Sequence, residues 1–343
     1  MLTWRHPSGA TVRYVEAQSW GHVRVCAGAP DGPLAERPGA ARAFEADAHD
    51  AGARVLWFAV ERREDLGPSP SGRDRASVVV GAEPVWHAGR WPDVVAAKAS
   101  VRAQIRRADN KGVTAEPWSA ERARRSAELR AVLARWLTTR GLPPLAFMAS
   151  PFVLDEPAGR RFWVARRDGD VVAYLVLRPP PTPGGGPQGQ PGEAFVEWII
   201  RDPAAPNGTA ALLLDAAVRS LPPGSGFTLG LVPLSTQAPL SDAPPPLAVR
   251  VLLAWTRAHA ARFYNFGGLE RFKAKFAPDR WRTLWLVTDG RPVSLGTFHA
   301  VAAAFAAPRG PTRFVARALA DAARDEARNV AQWLRRRWGQ ADG

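Results

Sequence analysis

The sequence predicts an α/β protein built in two units. Short apolar runs rich in valine and aromatic residues alternate with segments of helical spacing, the pattern of a sheet and its covering helices. At 343 residues the chain exceeds a typical single core, so two units of about 150 residues are expected. A hydrophobic content of 46%, with 14 Trp and 14 Phe, supplies two cores and excludes wholesale disorder.

Taken in order, Thr11 to Ala27 and Arg54 to Val60 read as strands, with a helical piece from Phe44 to Ala51 between them. The polar stretch Arg63 to Arg75, rich in Pro and Gly, reads as a surface loop. Ser77 to Val80 is a strand, and Gly81-Ala82-Glu83-Pro84-Val85-Trp86 is turn-like. From Lys98 to Gly112 a helix turns Val101 and Ile105 inward and carries Lys98, Arg102, Arg106, Arg107 and Lys111 against Asp109. Arg102 and Arg106, one turn apart, with Arg107 and Lys111 beside them, have the spacing to grip successive phosphates of a nucleic acid. A solvated helix face accounts for them equally well. Ala120 to Thr139 is a second helix, and Gly141-Leu142-Pro143-Pro144 marks the boundary of the first unit, 1–145. Phe162 to Arg166 and Val171 to Leu177 form a hairpin about Asp168-Gly169-Asp170. The run Arg178 to Gly192 has the composition of a loop, then Glu193 to Arg201 is a strand, Thr209 to Leu221 a helix and Phe227 to Leu231 a strand. Thr236 to Pro246 is a further Pro-rich loop and Leu247 to His259 a helix, closing a second unit at 290. The remainder, 291–343, is a helical basic tail. Its Val315, Leu319, Ala323, Ala327, Val330, Leu334 and Trp338 recur at helical spacing, a stripe for docking on the second unit or for lying on an anionic membrane.

The formal charge of +14 points to an anionic partner, although Arg is also this chain's default polar residue. A single cysteine, Cys26, excludes an internal disulfide framework and any Cys-cluster metal site. The start, MLTWRHPSGA, lacks a signal-peptide core, and no run of 18 apolar residues is present. A cytoplasmic protein, in peripheral contact with the inner face of the membrane, is the expectation.

Phe263 to Trp285 is the most closely specified segment. It reads as an aromatic strand ending at Phe266, a Gly267-Gly268 turn, a short basic helix from Leu269 and another strand. Leu269, Phe272 and Phe276 share a stripe, with Lys273 and Lys275 on its two flanks. The chain has 46 Lys+Arg yet only four lysines, Lys98, Lys111, Lys273 and Lys275, so two in one turn mark a place for a compact, rotatable ammonium. Two solvated lysines are the plainer alternative. A second segment, Arg201 to Thr209, joins strand to helix through Asn207 or Thr209 as cap and Gly208. Its first-turn amides make it friendly to an anion.

These segments carry a resemblance. Phe266, Gly268, Leu269, Phe272, Lys273, Lys275 and Phe276, followed by Pro278 and Trp281, match the FxGLxxFKxKF signature of the bacterial phosphatidylglycerol lysyltransferases (lysylphosphatidylglycerol synthases) and their soluble relatives. Ala205 to Thr209 match the family's APNGT turn, and Leu229 to Ser235 its LGxxPLS segment. The likeness is good from Arg160 to Leu286. It implies two tandem acetyltransferase-like (GNAT) domains with mixed central sheets and the active site in the second. It implies transfer of an amino acid from aminoacyl-tRNA to phosphatidylglycerol or another lipid or small acceptor, with no metal or cofactor. By the same likeness Arg201, Asn207, Gly208 and Thr209 line the transfer site, and Lys273 and Lys275 sit on its rim near phosphate groups. Glu197, Tyr264 and Arg271 are further candidates for holding substrate. The element order is also that of an acyl-CoA-dependent N-acyltransferase, although Gly208 is the one glycine of a turn that such enzymes make glycine-rich. A catalytically silent relative that binds lipid or RNA is the third reading. Two departures bear on the substrate: the acidic residue that the family commonly has three before the arginine is Trp198 here, and Ala210 and Ala211 stand where relatives carry a carboxylate. Glu197 can replace the first only if its strand bulges.

Overall fold

The computed structural model describes residues 1–140, 145–180, 192–238, 247, 251 and 266–306. The first half opens with β1 (Leu2–Arg5), β2 (Thr11–Gln18) and β3 (His22–Ala27), an antiparallel meander. Helix α1 (Arg37–Asp50) then crosses to β4 (Arg54–Val60), which lies parallel to β3. Helix α1 starts about two turns earlier than the apolar pattern predicts. Pro38 in its first turn costs nothing there, because a first-turn amide has no helical acceptor.

Strand β5 (Ser77–His87) runs straight through the segment read as a turn. Gly81 is required because the chain at Val232-Pro233 crosses it so closely that a Cβ would lie 2.1 Å from the Val232 carbonyl. Opposite it the pairing with the last strand shifts by one residue, a bulge. Helices α2 (Trp91–Ala97) and α3 (Ala99–Asp109) follow, then β6 (Thr114–Trp118), α4 (Ala120–Arg125) and α5 (Ala127–Thr138). One long helix was expected across the last two. Ser126 divides it, its hydroxyl accepting from the Leu129 amide as a new N-cap at 3.1 Å.

The second half repeats the plan of the first. Strands β6, β7 (Arg161–Arg167), β8 (Asp170–Arg178) and β9 (Glu193–Arg201) form an antiparallel meander. Helix α6 (Thr209–Arg219) then crosses to β10 (Gly226–Thr228), parallel to β9. After Thr228 the chain leaves β9 and forms the short β11 (Val232–Pro233) against β5. Helix α7 (Phe266–Ala274), β12 (Arg280–Thr288) and α8 (Leu295–Ala306) complete the described chain. This is the mixed α/β fold expected from the sequence, built on one large mixed sheet.

All the described strands belong to one mixed sheet, in the order β1-β2-β3-β4-β12-β5-β10-β9-β8-β7-β6, with β11 pairing β5 off this path. Strand pairing runs twice across the boundary expected at 145: β6, placed before it, pairs with β7, and β12, from the expected second unit, lies between β4 and β5. Four apolar layers cover the sheet. Phe44 and Trp57 centre one under α1, and Val25, Leu286 and Ala300 one under α8. Leu129, Phe162 and Tyr174 lie under α5, and Trp86, Trp91, Phe227, Leu214 and Phe276 gather among α2, α3, α6 and α7. In the last layer Trp86 stacks on Phe227 at 5.1 Å.

The tail stripe from Val315 to Trp338, Tyr264 and the helix expected at 247–259 lie outside the described residues, apart from 247 and 251. Among the described residues no helix is long and apolar enough to cross a membrane.

Candidate functional site

Where β9 ends, the backbone turns through Asp202 to Gly208 into α6. Asp202 fixes the first corner. Its carboxylate accepts from the Ala204 amide at 2.9 Å and pairs with Arg135. Burial alone would raise its pKa, but that amide and Arg135 hold it below the usual range. Gly208 fixes the last corner. It is the N-cap of α6 at φ +103°, and α3 passes so near that a Cβ there would lie 2.0 Å from the Gln104 carbonyl. Neither side chain expected to cap the helix does so. Asn207 faces Arg201, whose guanidinium donates to the Ala205 carbonyl at 3.2 Å and reaches Asn207 Oδ1 at 3.5 Å. Thr209 is fully buried and donates its hydroxyl to the Pro206 carbonyl at 2.7 Å.

A cavity of about 430 Å³ opens at this corner, lined by Gln104 and Arg107 of α3, Arg201, Asn207 and Gly208, the first turn of α6, and Phe272 and Lys275 beside α7. Arg201, the Asn207-Gly208 turn and Lys275, far apart in sequence, thus meet. Arg107, Arg201 and Lys275 give the walls three cations, and no lining residue among those described carries a carboxylate. Lys275 Nζ donates to Gln104 Oε1 at 2.8 Å and stands 4.3 and 4.6 Å from the rings of Phe272 and Phe276. Burial lowers its pKa to about 8. A small anion would find charge, an amide-rich helix start and partial exclusion of water here.

Lys273 is elsewhere. Helix α7 begins at Phe266 and takes both glycines into its first turn, and the side chain of Lys273 points into the protein with 5% exposure. Its Nζ donates to the carbonyls of Leu229, Gly230 and Leu231 at 2.7, 2.7 and 3.2 Å. Those are the carbonyls that β10 bares where it diverges from β9, so the ammonium stands in for a missing strand. Burial lowers its pKa to about 7, with Glu83 opposing the shift. Expected on the rim, Lys273 is instead a buried clasp. Arg271, on the same helix, is exposed and does not line the cavity.

Strand β9 does bulge at Glu197: Trp198 pairs with Val176 and Val196 with Leu177, leaving Glu197 as the extra residue. Yet its carboxylate is held by Arg160 at 2.5 Å and by Arg178, away from the cavity. Trp198 packs beside Trp136 in the α5 layer and donates to the Ser150 carbonyl. Asp215 accepts from Trp91 Nε1 at 2.8 Å and from Arg219 at 2.9 Å. On α3, Arg102 caps the carbonyl end of α2 and is unavailable to phosphates in that pose, whereas Arg106 and Lys111 are exposed. Arg107 alone of that group reaches the cavity.

The comparisons with known proteins bear on this corner. The model of the family "Phosphatidylglycerol lysyltransferase, C-terminal" matches residues 2–288. The chain belongs to that family. Among solved structures, the C-terminal domain of a putative lysylphosphatidylglycerol synthetase from Agrobacterium fabrum is 21% identical, with a TM-score of 0.70 over 90% of each chain. L-PGS from Bacillus licheniformis is also 21% identical, with a TM-score of 0.61 over 86% of each chain. A conserved protein from Bacteroides thetaiotaomicron is 13% identical, with a TM-score of 0.51 over 81% of this chain and 82% of that one. At such identities these likenesses concern the fold. No curated protein matches.

The phosphatidylglycerol lysyltransferase motifs seen in the sequence fall around one corner of the second half. The APNGT turn lines the cavity, the LGxxPLS segment runs over the Lys273 ammonium, and the FKxKF helix supplies both lysines. Glu270 of that helix accepts from the Thr236 amide and hydroxyl at 3.0 and 2.7 Å, tying the end of the LGxxPLS segment to α7. Gln104 was missed in the sequence, because nothing in an ordinary polar helix position announces that its carbonyl will touch a glycine some hundred residues later.

Proposed function

We propose that this chain transfers an aminoacyl group from aminoacyl-tRNA to a lipid hydroxyl, phosphatidylglycerol being the first acceptor to try. One observation carries the reading: the three-cation cavity at the start of α6, free of carboxylates among its described lining residues. In this reading Arg107, Arg201 and Lys275 hold phosphate oxygens of donor or acceptor, and the α6 amide end faces the oxyanion. The acceptor hydroxyl attacks the ester carbonyl, a tetrahedral oxyanion forms, and the ribose oxygen leaves with the proton lost by the acceptor. No redox partner is needed, so positioning and electrostatics suffice.

Membership of a transferase family supports this reading, as does the cavity's sign. The acyl-CoA alternative is less well supported, because the single glycine of the turn is already packed against Gln104 and gives a pyrophosphate no glycine-rich cradle. The test is incubation of the full chain with tRNA charged with a mixture of labelled amino acids and with detergent-dispersed phosphatidylglycerol. Label in the lipid fraction supports the proposal. Label only in tRNA and water, with acyl-CoA turned over in a parallel assay, rejects it.

A further inference from the structure

The hairpin joining β2 to β3 carries the most exposed large hydrophobic side chain among the described residues of the first half. Trp20 is 75% exposed and adopts φ +48°, a conformation that bulky residues avoid. The turn is nonetheless firmly built. Ser19 donates its amide to the Gly21 carbonyl at 2.9 Å, Arg54 donates to the Ser19 carbonyl at 2.9 Å, and Ser19 Oγ lies 2.7 Å from His299 Nδ1. The indole lies flat on the His299 ring, 5.6 Å between centroids and 8° between planes. Gly296 leaves room for it: a Cβ there would lie 2.7 Å from the ring. Leu295, the residue next to Gly296, is 45% exposed.

Such a Trp is held outward by its surroundings and has one stacked face, so most of its edge and its other face meet solvent. One indole and one leucine are far too small for a protein interface, which needs about 800 Å² from each partner. They suit the headgroup region of a bilayer, where tryptophan is favoured over both water and hydrocarbon. The sign of charge agrees: Arg54 underlies the turn, and the chain carries +14 overall.

We propose that the Trp20 hairpin, with Leu295 beside it, seats the protein on an anionic lipid surface. The inference deepens the lipid-acceptor reading, on which its purpose rests, but its test needs neither donor nor turnover. The full chain is sedimented with vesicles of phosphatidylcholine alone and of phosphatidylcholine mixed with phosphatidylglycerol. Trp20→Gly relieves the backbone strain, so loss of binding in that variant cannot be assigned to unfolding, and Trp20→Tyr keeps an interfacial ring. The expected result is binding to the anionic vesicles only, weakened about fivefold in Trp20→Gly and largely kept in Trp20→Tyr. Equal binding by wild type and Trp20→Gly overturns the proposal, as does a change of self-association in that variant with vesicle binding intact. If vesicle binding is unaffected while detergent-dispersed lipid is acylated, the hairpin assignment falls and the transferase reading stands.

Discussion

Replacing Lys273 with methionine keeps a stem of similar length and removes only the ammonium that three carbonyls share. Each buried acceptor left bare costs about 1–3 kcal/mol, and the three are not additive, so a loss of about 3 kcal/mol is expected where the wild-type amine is neutral. Below that pH the wild type carries a penalty of its own. Its folded pKa of about 7 lies under the value of about 10.4 for an unfolded lysine, so between these values the unfolded chain binds a proton that the native one does not. Native stability from this group therefore rises with pH across that window, by about 1.4 kcal/mol per unit, and is flat below it. From pH 6 to pH 9 the gain is about 3 kcal/mol. Lys273→Met should thus cost about 3 kcal/mol at pH 9 and close to nothing at pH 6. Urea denaturation of both proteins at the two pH values measures this difference directly. A cost that is equal at both within about 0.5 kcal/mol refutes the account of a desolvated amine.

Three further outcomes concern Gly208, Lys275 and Glu197. Gly208→Ala must strain φ +103° and push α3 away from α6, so a loss of about 2–4 kcal/mol is expected by thermal denaturation, with transfer reduced more than stability explains. Lys275→Ala should weaken binding of inorganic pyrophosphate about tenfold, the worth of one hydrogen bond to a charged group. Wild-type binding should fall as pH rises through about 8, since the ammonium is lost there, and the variant should show no such step in calorimetry. Glu197→Ala leaves Arg160 and Arg178 without their shared carboxylate, which should cost about 2 kcal/mol, discounted for the exposure of Arg178. Its transfer rate per folded molecule should match the wild type, and a rate loss without a stability loss would return Glu197 to the site.

Strands whose burial pattern is strong could be read to the residue, as with Arg54–Val60 and Glu193–Arg201. The Gly81 to Trp86 segment could not. Its glycine and proline are punctuation in most contexts, whereas here the glycine answers to a crossing strand visible only in three dimensions. The corner Arg201 to Thr209 was legible because turn and helix start are local. Lys275 and the cavity could be named together because the motif helix follows the same half. The fate of Lys273 was hidden, since its acceptors come from a stretch some forty residues earlier that looks like a plain strand. Arg107 drew notice for its charge, although for a different ligand surface, and its place beside Arg201 depends on how α3 packs against α6.

The position of β12 bears on how the chain is made. Arg280–Thr288 is the strand between β4 and β5, so the N-terminal residues leave the ribosome with two strand edges open at the middle of their sheet. Those edges, Arg54–Val60 and Ser77–His87, cannot find their native neighbour until almost two hundred more residues have been translated. During that interval the nascent chain exposes unpaired amides to any other extended segment. Synthesis of this protein therefore places a demand on holding chaperones, and a stop codon anywhere before Arg280 yields a product with an unfilled slot in its sheet.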